Sequence, residues 1–524
     1  MRRSRWLAAA AAALLAAAAW PVRGAAQVPP PPPPDPRVGV VEAVDAPARA
    51  TELGAAWTRV TLHWGEIQPD GPEDWQMAAL SANIAREREA GREVVGLLIG
   101  VPAWAADSGG LPRGLDLPPD DSGNLWAGFV REAASRFSGE IDHWIIWNEP
   151  DIREADHPAF TWPGSVEDMA RLQQVAYLAA KDANPAAVVH LPAMSHWWSV
   201  QTGRDLYFPQ LLDALLALPG SEASNAYYDV ATLHVYFDPA TVYDLLGQYR
   251  AFHDERGLSQ PFWLVETNAA PSSDPDAPAA DVTFAISLLE QAAYMPQALS
   301  LALAGGAERA AIYKLIDVPG DEFANPEPFG LVRQDGSHRP AFVTTRVAFE
   351  MLAGTEQAVW TARGDVSQVT ASAPRKVTRV LWSRMPAAQV AAVPVLGEGA
   401  ELVDMWGNRA PIAASDGVYE VALYAGECQQ TVGDYCMIGG PPVYLVEQVG
   451  ASRVEDVPGP ERVTALAEVP GARPMSGMPA APAQEQRGRP PVVRWVLLGA
   501  IAVIAAIFEF RVRRRLLKRL QGRD

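Results

Sequence analysis

The chain has 524 residues, of which 49% are hydrophobic and 20% are charged, a composition that indicates a globular protein and excludes a disordered one. Its 43 lysines and arginines against 62 aspartates and glutamates give a formal net charge of −19, which argues against nucleic acid as a partner. The length is sufficient for two or more domains with a large core.

The first 26 residues have the layout of a secretory signal peptide. Three arginines in the first five residues precede an alanine-rich apolar stretch, and the small residues Gly24 and Ala26 offer a cleavage site. An uncleaved anchor helix is the alternative. Residues 27–37 follow, and their six consecutive prolines predict a stiff linker. The N-terminus therefore predicts an exported protein.

Residues 38–353 alternate short apolar runs with amphipathic segments. Eight such runs, each followed by a helix or a long excursion, predict a (β/α)8 TIM barrel of the α/β class. A doubly wound open sheet has the same local pattern, but no G-x-G-x-x-G follows the first strand. The predicted strands are Val38–Val41, Trp57–Leu62, Val94–Ile99, His143–Trp147, Val188–Leu191, Val230–His234, Phe262–Val265 and Ala310–Tyr313.

Several predicted strands end in residues that can do chemistry. The fourth ends in the sequence N-E-P, which contains Glu149, the seventh ends in Glu266, and the sixth ends in His234 and Tyr236. Because the carboxyl ends of barrel strands form one face, we expect the two glutamates to lie across a pocket from each other. Two carboxylates so placed can cleave a glycosidic bond, one as acid and the other as nucleophile.

Other side chains near the strand ends fit the same chemistry. Arg59, on the second strand, can keep a neighbouring carboxylate ionised. Each candidate also has a structural alternative, because a glutamate can cap a helix and tryptophans are more often core residues. Sugar rings stack on aromatic side chains, and the aromatic candidates are Trp64, Trp104, Trp147, Trp197, Trp198 and Tyr236.

After residue 353 the pattern changes to short strands separated by turns such as Asp416-Gly417. Residues 354–447 are therefore predicted to form a small all-β sandwich domain. The two cysteines of the chain, Cys428 and Cys436, can form one structural disulfide in an exported protein. No metal site is predicted, because the pair has no further ligands nearby in the sequence.

The C-terminal part predicts a membrane attachment. Residues 448–491 are rich in proline, alanine, glycine and charge and are predicted to be a flexible stalk. Residues 492–510 are apolar and long enough to cross a bilayer, and residues 511–524 are basic. Since basic segments stay in the cytoplasm, we expect a single-pass protein of the cell membrane with its large N-terminal portion extracellular. An amphipathic helix on the membrane surface is the alternative.

Taken together, the motifs of residues 38–353 resemble the retaining glycoside hydrolases of clan A. "RFSGEIDHWIIWNEPD" is similar to their strand-four signature, and "FWLVETN" is similar to their strand-seven nucleophile motif. Members of family 39, which are β-xylosidase-like, and family 5-like members are the nearest. Further similar segments are "LGAAWTRVTLHWGEIQP", "VVGLLIGVPAWA" and "FGLVRQDGSHRPAF".

The resemblance implies roles for the site residues. Glu149 would be the general acid/base and Glu266 the nucleophile, with their carboxyl groups about 5 Å apart. Asn148 would bind the 2-hydroxyl of the sugar. The mechanism implies no metal and no organic cofactor. The supporting residues implied around Glu266 are Arg59, Tyr236 and His234.

The eighth strand departs from the family pattern. Such enzymes usually end this strand with a tryptophan under the sugar, whereas here Lys314 stands at about that place, after Tyr313. A cation there predicts either an anionic sugar, whose carboxylate Lys314 would bind, or a site that only binds sugars. A shift of one residue in the alignment is a third interpretation.

The sequence as a whole predicts a membrane-tethered, extracytoplasmic retaining glycoside hydrolase that acts on an oligo- or polysaccharide through two glutamates. The alternative is a non-catalytic carbohydrate receptor on the same barrel. An adhesion or scaffold protein is less consistent with the sequence, because it would not need paired carboxylates.

Overall fold

The computed structural model describes residues 31–279, 282–321, 327–397, 399–449 and 457–465. The predicted signal peptide (1–26), membrane helix (492–510) and basic tail (511–524) lie outside these residues. Among the helices that the described residues form, none is both long and apolar enough to cross a bilayer.

Eight parallel strands of the described residues form the predicted barrel. Their order in the sheet is β5-β4-β3-β2-β1-β8-β7-β6, and parallel bridges from His190 to Val230 and from Met194 to Leu233 join β5 to β6. This closure excludes the open doubly wound sheet. The strands are β1 Asp35–Val40, β2 Ala55–His63, β3 Glu93–Ile99, β4 His143–Ile146, β5 Val188–His190, β6 Ala231–Tyr236, β7 Phe262–Asn268 and β8 Ala307–Ile312.

The apolar side chains of the strands alternate between two cores. One set, which includes Trp57, Ile145 and Trp263, fills the barrel interior, and the other packs outward against the helices. The helices are α1 Pro47–Leu53, α2 Trp64–Ile67, α3 Ala78–Glu89, α4 Leu125–Arg136, α5 Val166–Ala183, α6 Trp197–Gln201, α7 Tyr207–Ala217, α8 Pro239–Asp254, α9 Leu288–Ala304 and α10 Pro340–Leu352.

The residues after α10 form a β-sandwich, as predicted. Its two sheets have the orders β14-β13-β18-β11-β10-β9 and β15-β12-β19, and their facing sides share a core that includes Leu381, Val393 and Val421. The strands are β9 Gln357–Arg363, β10 Val366–Ala373, β11 Lys376–Ser383, β12 Gln389–Pro394, β13 Ala400–Asp404, β14 Arg409–Ile412, β15 Val418–Leu423, β16 Thr431–Val432, β17 Tyr435–Cys436, β18 Val443–Gln448 and β19 Arg462–Ala465.

Two predicted linkers are partly structured. The strand β1 begins at Asp35, inside the predicted linker 27–37, and β19 lies inside the predicted stalk 448–491. The residues of β19 pair antiparallel with β12, from Arg462 opposite Ala392 to Ala465 opposite Gln389. The prediction of a flexible stalk is therefore wrong for β19, because its backbone is held in a sheet.

The sandwich packs on α9, and the disulfide lies at this contact. Cys428 and Cys436 are bonded, with their Cα atoms 4.7 Å apart, which confirms the predicted disulfide. Beside it, Gln429 donates its backbone N–H to Glu290 of α9 over 2.8 Å, and Gln297 of α9 binds the backbone of Gly439. Because α9 is covered by strands on one side and by the sandwich on the other, nearly all of its residues are buried.

Candidate active site

Glu266 lies buried near the C-terminal end of β7 with both carboxylate oxygens bound. The Nη2 atom of Arg59 on β2 lies 2.5 Å from Oε1, and the hydroxyl of Tyr236 on β6 donates to Oε2. The Nδ1 atom of His234, also on β6, lies 3.5 Å from Oε2. The structure thus brings the predicted supporting residues Arg59, Tyr236 and His234 together around Glu266.

Glu149 follows β4 and lies opposite Glu266. Its backbone has a left-handed φ of 44°, which few residues other than glycine adopt, and its N–H donates to Ala193 O over 2.9 Å. The Nδ1 atom of His234 lies 2.8 Å from Glu149 Oε1. Strained backbone of this kind concentrates at functional sites, where the surrounding structure holds it in place.

His234 therefore contacts both glutamates through one nitrogen. Its distances of 2.8 Å to Glu149 Oε1 and 3.5 Å to Glu266 Oε2 limit the separation of these two oxygens to their sum, 6.3 Å at most. The pairing of β6 with β7 shifts register between Leu233 and His234, and the pairing of β7 with β8 is irregular between Leu264 and Thr267. Such irregularities re-aim side chains, which accounts for the convergence of His234 and Glu266.

The charges around Glu266 favour its ionised form. Burial raises the pKa of Glu266, but the charges of His234 and Arg59 and the hydrogen bonds from Tyr236 and Arg59 together hold it below its ordinary value. Burial and the charge of Glu266 raise the pKa of Tyr236 well above its usual range, so its hydroxyl keeps the proton that it donates. Glu266 is thus the group of this pair that is built to stay an anion.

Asp151 is a site residue that the motifs did not single out. It is buried two residues after Glu149, and its carboxylate accepts hydrogen bonds from Ser195 N (3.0 Å), Ser195 Oγ (2.8 Å) and His196 N (2.8 Å). Burial and the charge of Glu149 raise the pKa of Asp151 to about 6, against the effect of these hydrogen bonds. Asp151 therefore ties the end of β4 to the loop that precedes α6. Its only sequence signal is its place directly after N-E-P.

Two of the predicted aromatic platforms are core residues instead. Trp64 is 0% exposed and stacks on Phe129 with ring centres 4.9 Å apart. Trp147 is 1% exposed and packs edge-on against Trp126 and Trp162, because its left-handed φ of 76° interrupts the in-and-out alternation of β4. The prediction that these two rings stack on a sugar is wrong, and their structural alternative holds.

The remaining predicted sugar contacts are partly accessible. Trp104 and Trp197 are half-buried in loops that follow β3 and β5, and Trp104 donates its indole N–H to Gln68 O over 2.7 Å. Asn148 is half-buried, and its carbonyl accepts a hydrogen bond from Thr161 Oγ1 over 2.7 Å. The sugar contacts of Trp104, Trp197 and Asn148 stay predictions.

Lys314 is buried and already paired. Its Nζ lies 3.0 Å from Glu42 Oε2 and 2.7 Å from Asp321 Oδ2. Tyr313 instead packs edge-on against Tyr236, with ring centres 6.2 Å apart. The predicted role of Lys314 as the partner of a substrate carboxylate is not supported, because two carboxylates of the protein already bind its ammonium group.

No family model matches the chain. One curated relative is the β-glucosidase-like protein SFR2, chloroplastic, of Oryza sativa subsp. japonica, which is 29% identical over 126 residues. This match covers 22% of the chain, and the chain spans about a fifth of that protein, or 18% of its length.

Solved structures match over most of the chain. A family 39 glycoside hydrolase from Bacteroides cellulosilyticus WH2 matches with a TM-score of 0.58 and 15% identity, over 80% of this chain and 81% of that one. The family 30 subfamily 8 xylanase Xyn30A from Clostridium acetobutylicum matches with a TM-score of 0.51 and 11% identity, over 80% and 97%.

A third match is CelM2, a bifunctional glucanase-xylanase from a metagenome library, with a TM-score of 0.51 and 14% identity over 80% of this chain and 97% of that one. Likeness at this identity concerns the fold. The resemblance to clan A that the motifs indicate is confirmed at that level: the chain shares its fold with glycoside hydrolases of families 39 and 30.

Proposed function

We propose that the protein is a retaining glycoside hydrolase in which Glu266 is the nucleophile and Glu149 is the general acid/base. The observation that carries the proposal is the limit of 6.3 Å between Glu149 Oε1 and Glu266 Oε2. Retaining enzymes hold their carboxyl groups about 5–5.5 Å apart, whereas inverting enzymes need about 6.5–9.5 Å to admit a water molecule.

The chemistry would proceed in two displacements. In the first, a carboxylate oxygen of Glu266 forms a bond to the anomeric carbon, the glycosidic bond breaks, and the leaving oxygen takes the proton of Glu149. In the second, Glu149 takes a proton from water, the water oxygen bonds to the anomeric carbon, and the ester to Glu266 breaks. Each glutamate thereby returns to its starting form.

The surroundings of the two glutamates support this division of roles. The nucleophile must be an anion, and Arg59, Tyr236 and His234 keep Glu266 in that form. The acid must gain and lose a proton in each cycle, and Glu149, which is half-buried, has fewer cationic neighbours than Glu266. His234, which contacts both carboxylates, is placed to orient them relative to each other.

The proposed substrate is a neutral β-linked glycoside of the xylose or glucose type. The support comes from the names of the similar proteins, which include xylanases, a glucanase-xylanase and a β-glucosidase-like protein. The pairing of Lys314 with Glu42 and Asp321 removes the reason for an anionic sugar. It also removes the reason for the receptor alternative, which rested on Lys314.

Membrane tethering and an extracellular position of the barrel are also proposed. Their support is the arginine-rich, alanine-rich N-terminus, the apolar segment 492–510 and the basic residues after it. The disulfide between Cys428 and Cys436 fits an oxidising compartment outside the cytoplasm.

Hydrolysis by the full-length chain tests the proposed function. Aryl β-xylosides, β-glucosides and β-glucuronides, together with xylan and β-glucans, would be incubated with wild type, Glu266→Gln and Glu149→Ala. Glu93→Gln is a matched control, because Glu93 lies at the opposite end of the barrel. Turnover by wild type and the control, and its loss in the two site variants, is expected. Turnover that survives in Glu266→Gln would contradict the proposal.

A further inference from the structure

Glu42 lies on the same face of the barrel as the two glutamates. It follows β1 with a left-handed φ of 63°, and the next residue, Ala43, donates its N–H to Thr58 Oγ1 over 3.0 Å. This turn holds Glu42 between two neighbours of the site. One is Arg59, which binds Glu266 and interacts electrostatically with Glu42, and the other is Lys314, at the end of β8. Glu42 was not among the residues that the sequence singled out.

Lys314 binds only one oxygen of the Glu42 carboxylate. Its Nζ lies 3.0 Å from Oε2, and within the described residues no other side chain or backbone group forms a hydrogen bond with this carboxylate. The Glu42 side chain is 33% exposed, whereas Lys314 is 4% exposed. The pair is therefore anchored on the lysine side, and Oε1 of Glu42 is left for a ligand on the exposed side.

The charge around Lys314 is negative in total. Asp321 binds its ammonium group over 2.7 Å, and Asp45 interacts with it electrostatically. One ammonium group therefore faces the carboxylates of Glu42, Asp45 and Asp321. A hydroxyl group of a sugar would find a strong acceptor here, whereas a sugar carboxylate would meet like charge at a short distance.

We infer that Glu42 is a further substrate-binding residue, whose carboxylate accepts a hydrogen bond from a hydroxyl of a neutral sugar and thereby disfavours a sugar acid. The inference rests on the proposed function, because it assigns specificity to the same site. Lys314 acts as a positioning residue, since it fixes the Glu42 carboxylate and does not itself meet the substrate.

The test compares three variants of the full-length chain at neutral pH. Glu42→Gln removes the charge, and Glu42→Asp keeps the charge but withdraws the carboxylate. Asp45→Asn is a matched control that removes one charge from a residue acting on Lys314 only through space. Each is assayed with 4-nitrophenyl β-xyloside, β-glucoside and β-glucuronide. Each is also titrated calorimetrically with thio-linked cellobiose, which is not hydrolysed, and with its glucuronic acid analogue.

A direct contact predicts a specific pattern. Both Glu42 variants should lower kcat/KM for the neutral glycosides and affinity for thio-cellobiose by about 10-fold or more, the loss expected for a hydrogen bond to a charged group. Glu42→Gln should also lower the preference for neutral over acidic substrates, whereas Glu42→Asp should keep it. Asp45→Asn should change either quantity by less than about threefold, as expected for an exposed charge.

The inference is overturned if Glu42→Gln leaves both quantities unchanged, if Asp45→Asn matches Glu42→Gln, or if wild type prefers the glucuronide. Failure of the proposed function gives a different result. Wild type would then bind thio-cellobiose in a Glu42-dependent way and hydrolyse nothing, which supports the inference alone. Neither binding nor hydrolysis of any neutral sugar would overturn both. Thermal unfolding of each variant identifies losses that arise from misfolding.

Discussion

At both ends of the barrel a histidine lies beside a glutamate. Near the beginnings of the strands, His143 Nε2 lies 3.3 Å from Glu93 Oε1, while at the opposite end His234 Nδ1 lies 2.8 Å from Glu149 Oε1. The same strand contributes to both places, because β4 begins with His143 and leads into Glu149. The residue types alone therefore do not distinguish the two clusters.

The partners of each glutamate do distinguish them. Arg309 binds Glu93 over 2.8 Å and also covers the ring of Trp263 at 4.3 Å, so this carboxylate is paired. Its histidine, His143, also contacts the buried His190. At the other end one histidine serves two carboxylates, and a strained backbone turn presents one of them. The first cluster joins strands together, whereas the second holds two groups at a reactive distance.

The largest effect is expected from Glu266→Gln. The variant keeps the shape of the side chain but removes the anion that attacks the sugar. Turnover should fall by on the order of 10⁴-fold or more, as when other enzymes lose a nucleophile. The measurement is kcat on an aryl β-glycoside, with circular dichroism to verify the fold. A decrease of only a few-fold would place the nucleophile elsewhere.

Glu149→Ala should have the next largest effect. Loss of the acid/base should lower kcat by about 10²–10⁴-fold on a substrate with a poor leaving group. A dinitrophenyl glycoside, whose leaving group needs no proton, should form the intermediate at a nearly normal rate. Added azide should then restore turnover and give a β-glycosyl azide. An α-azide, or no effect of azide, would contradict the assigned role.

Tyr236→Phe should have a smaller effect with a distinct pH dependence. The hydroxyl of Tyr236 lowers the pKa of Glu266, so its removal should raise that pKa. Because Glu266 must be ionised to attack, kcat/KM should decline at a higher pH than in wild type as the medium is acidified, with a loss of about tenfold at low pH. The measurement is the pH profile of kcat/KM.

Tyr294→Phe is the control for this profile. It removes another buried hydroxyl, which bonds Thr267 over 2.6 Å on the residue that follows Glu266. Its acidic limb should coincide with that of wild type. An equal shift in both variants would mean that the change reflects general loosening of β7 and not the hydrogen bond to Glu266.

The smallest effect is expected at the other end of the barrel. Glu93→Gln should lower the free energy of unfolding by about 1 kcal/mol or less, because Glu93 is 37% exposed and solvent screens its ion pair with Arg309. It should leave kcat within about twofold. Chemical denaturation and the standard assay check the two values. A large loss of activity would erase the distinction between the two clusters.

The barrel was predictable because its strands are local. Each buried strand is an apolar run of four to eight residues, and all eight runs coincide with observed strands. Glu149 and Glu266 were predictable because each directly follows or ends such a run. In the second domain β9 and β19 were missed, since Gln357–Arg363 is only half-buried and Arg462–Ala465 follows a proline-rich stretch.

The rest of the site depends on contacts between distant segments. Trp147 leaves the pocket because of its own backbone angle, and Lys314 is paired by Glu42, which lies 272 residues earlier in the chain. Asp151 acts through a loop 44 residues later. Neither periodicity nor composition reports such pairings, because they arise only when the strand ends converge.

Covalent labelling of Glu266 tests the central claim most directly. The full-length chain would be incubated with a dinitrophenyl 2-deoxy-2-fluoro-β-glycoside, whose fluorine slows the second displacement, then digested and analysed by mass spectrometry. If Glu266 is the nucleophile, the sugar will be attached to the peptide that contains it, and Glu149→Ala will be labelled at the same place. A label on another residue, or hydrolysis of natural substrate with inversion and no label, would contradict the claim.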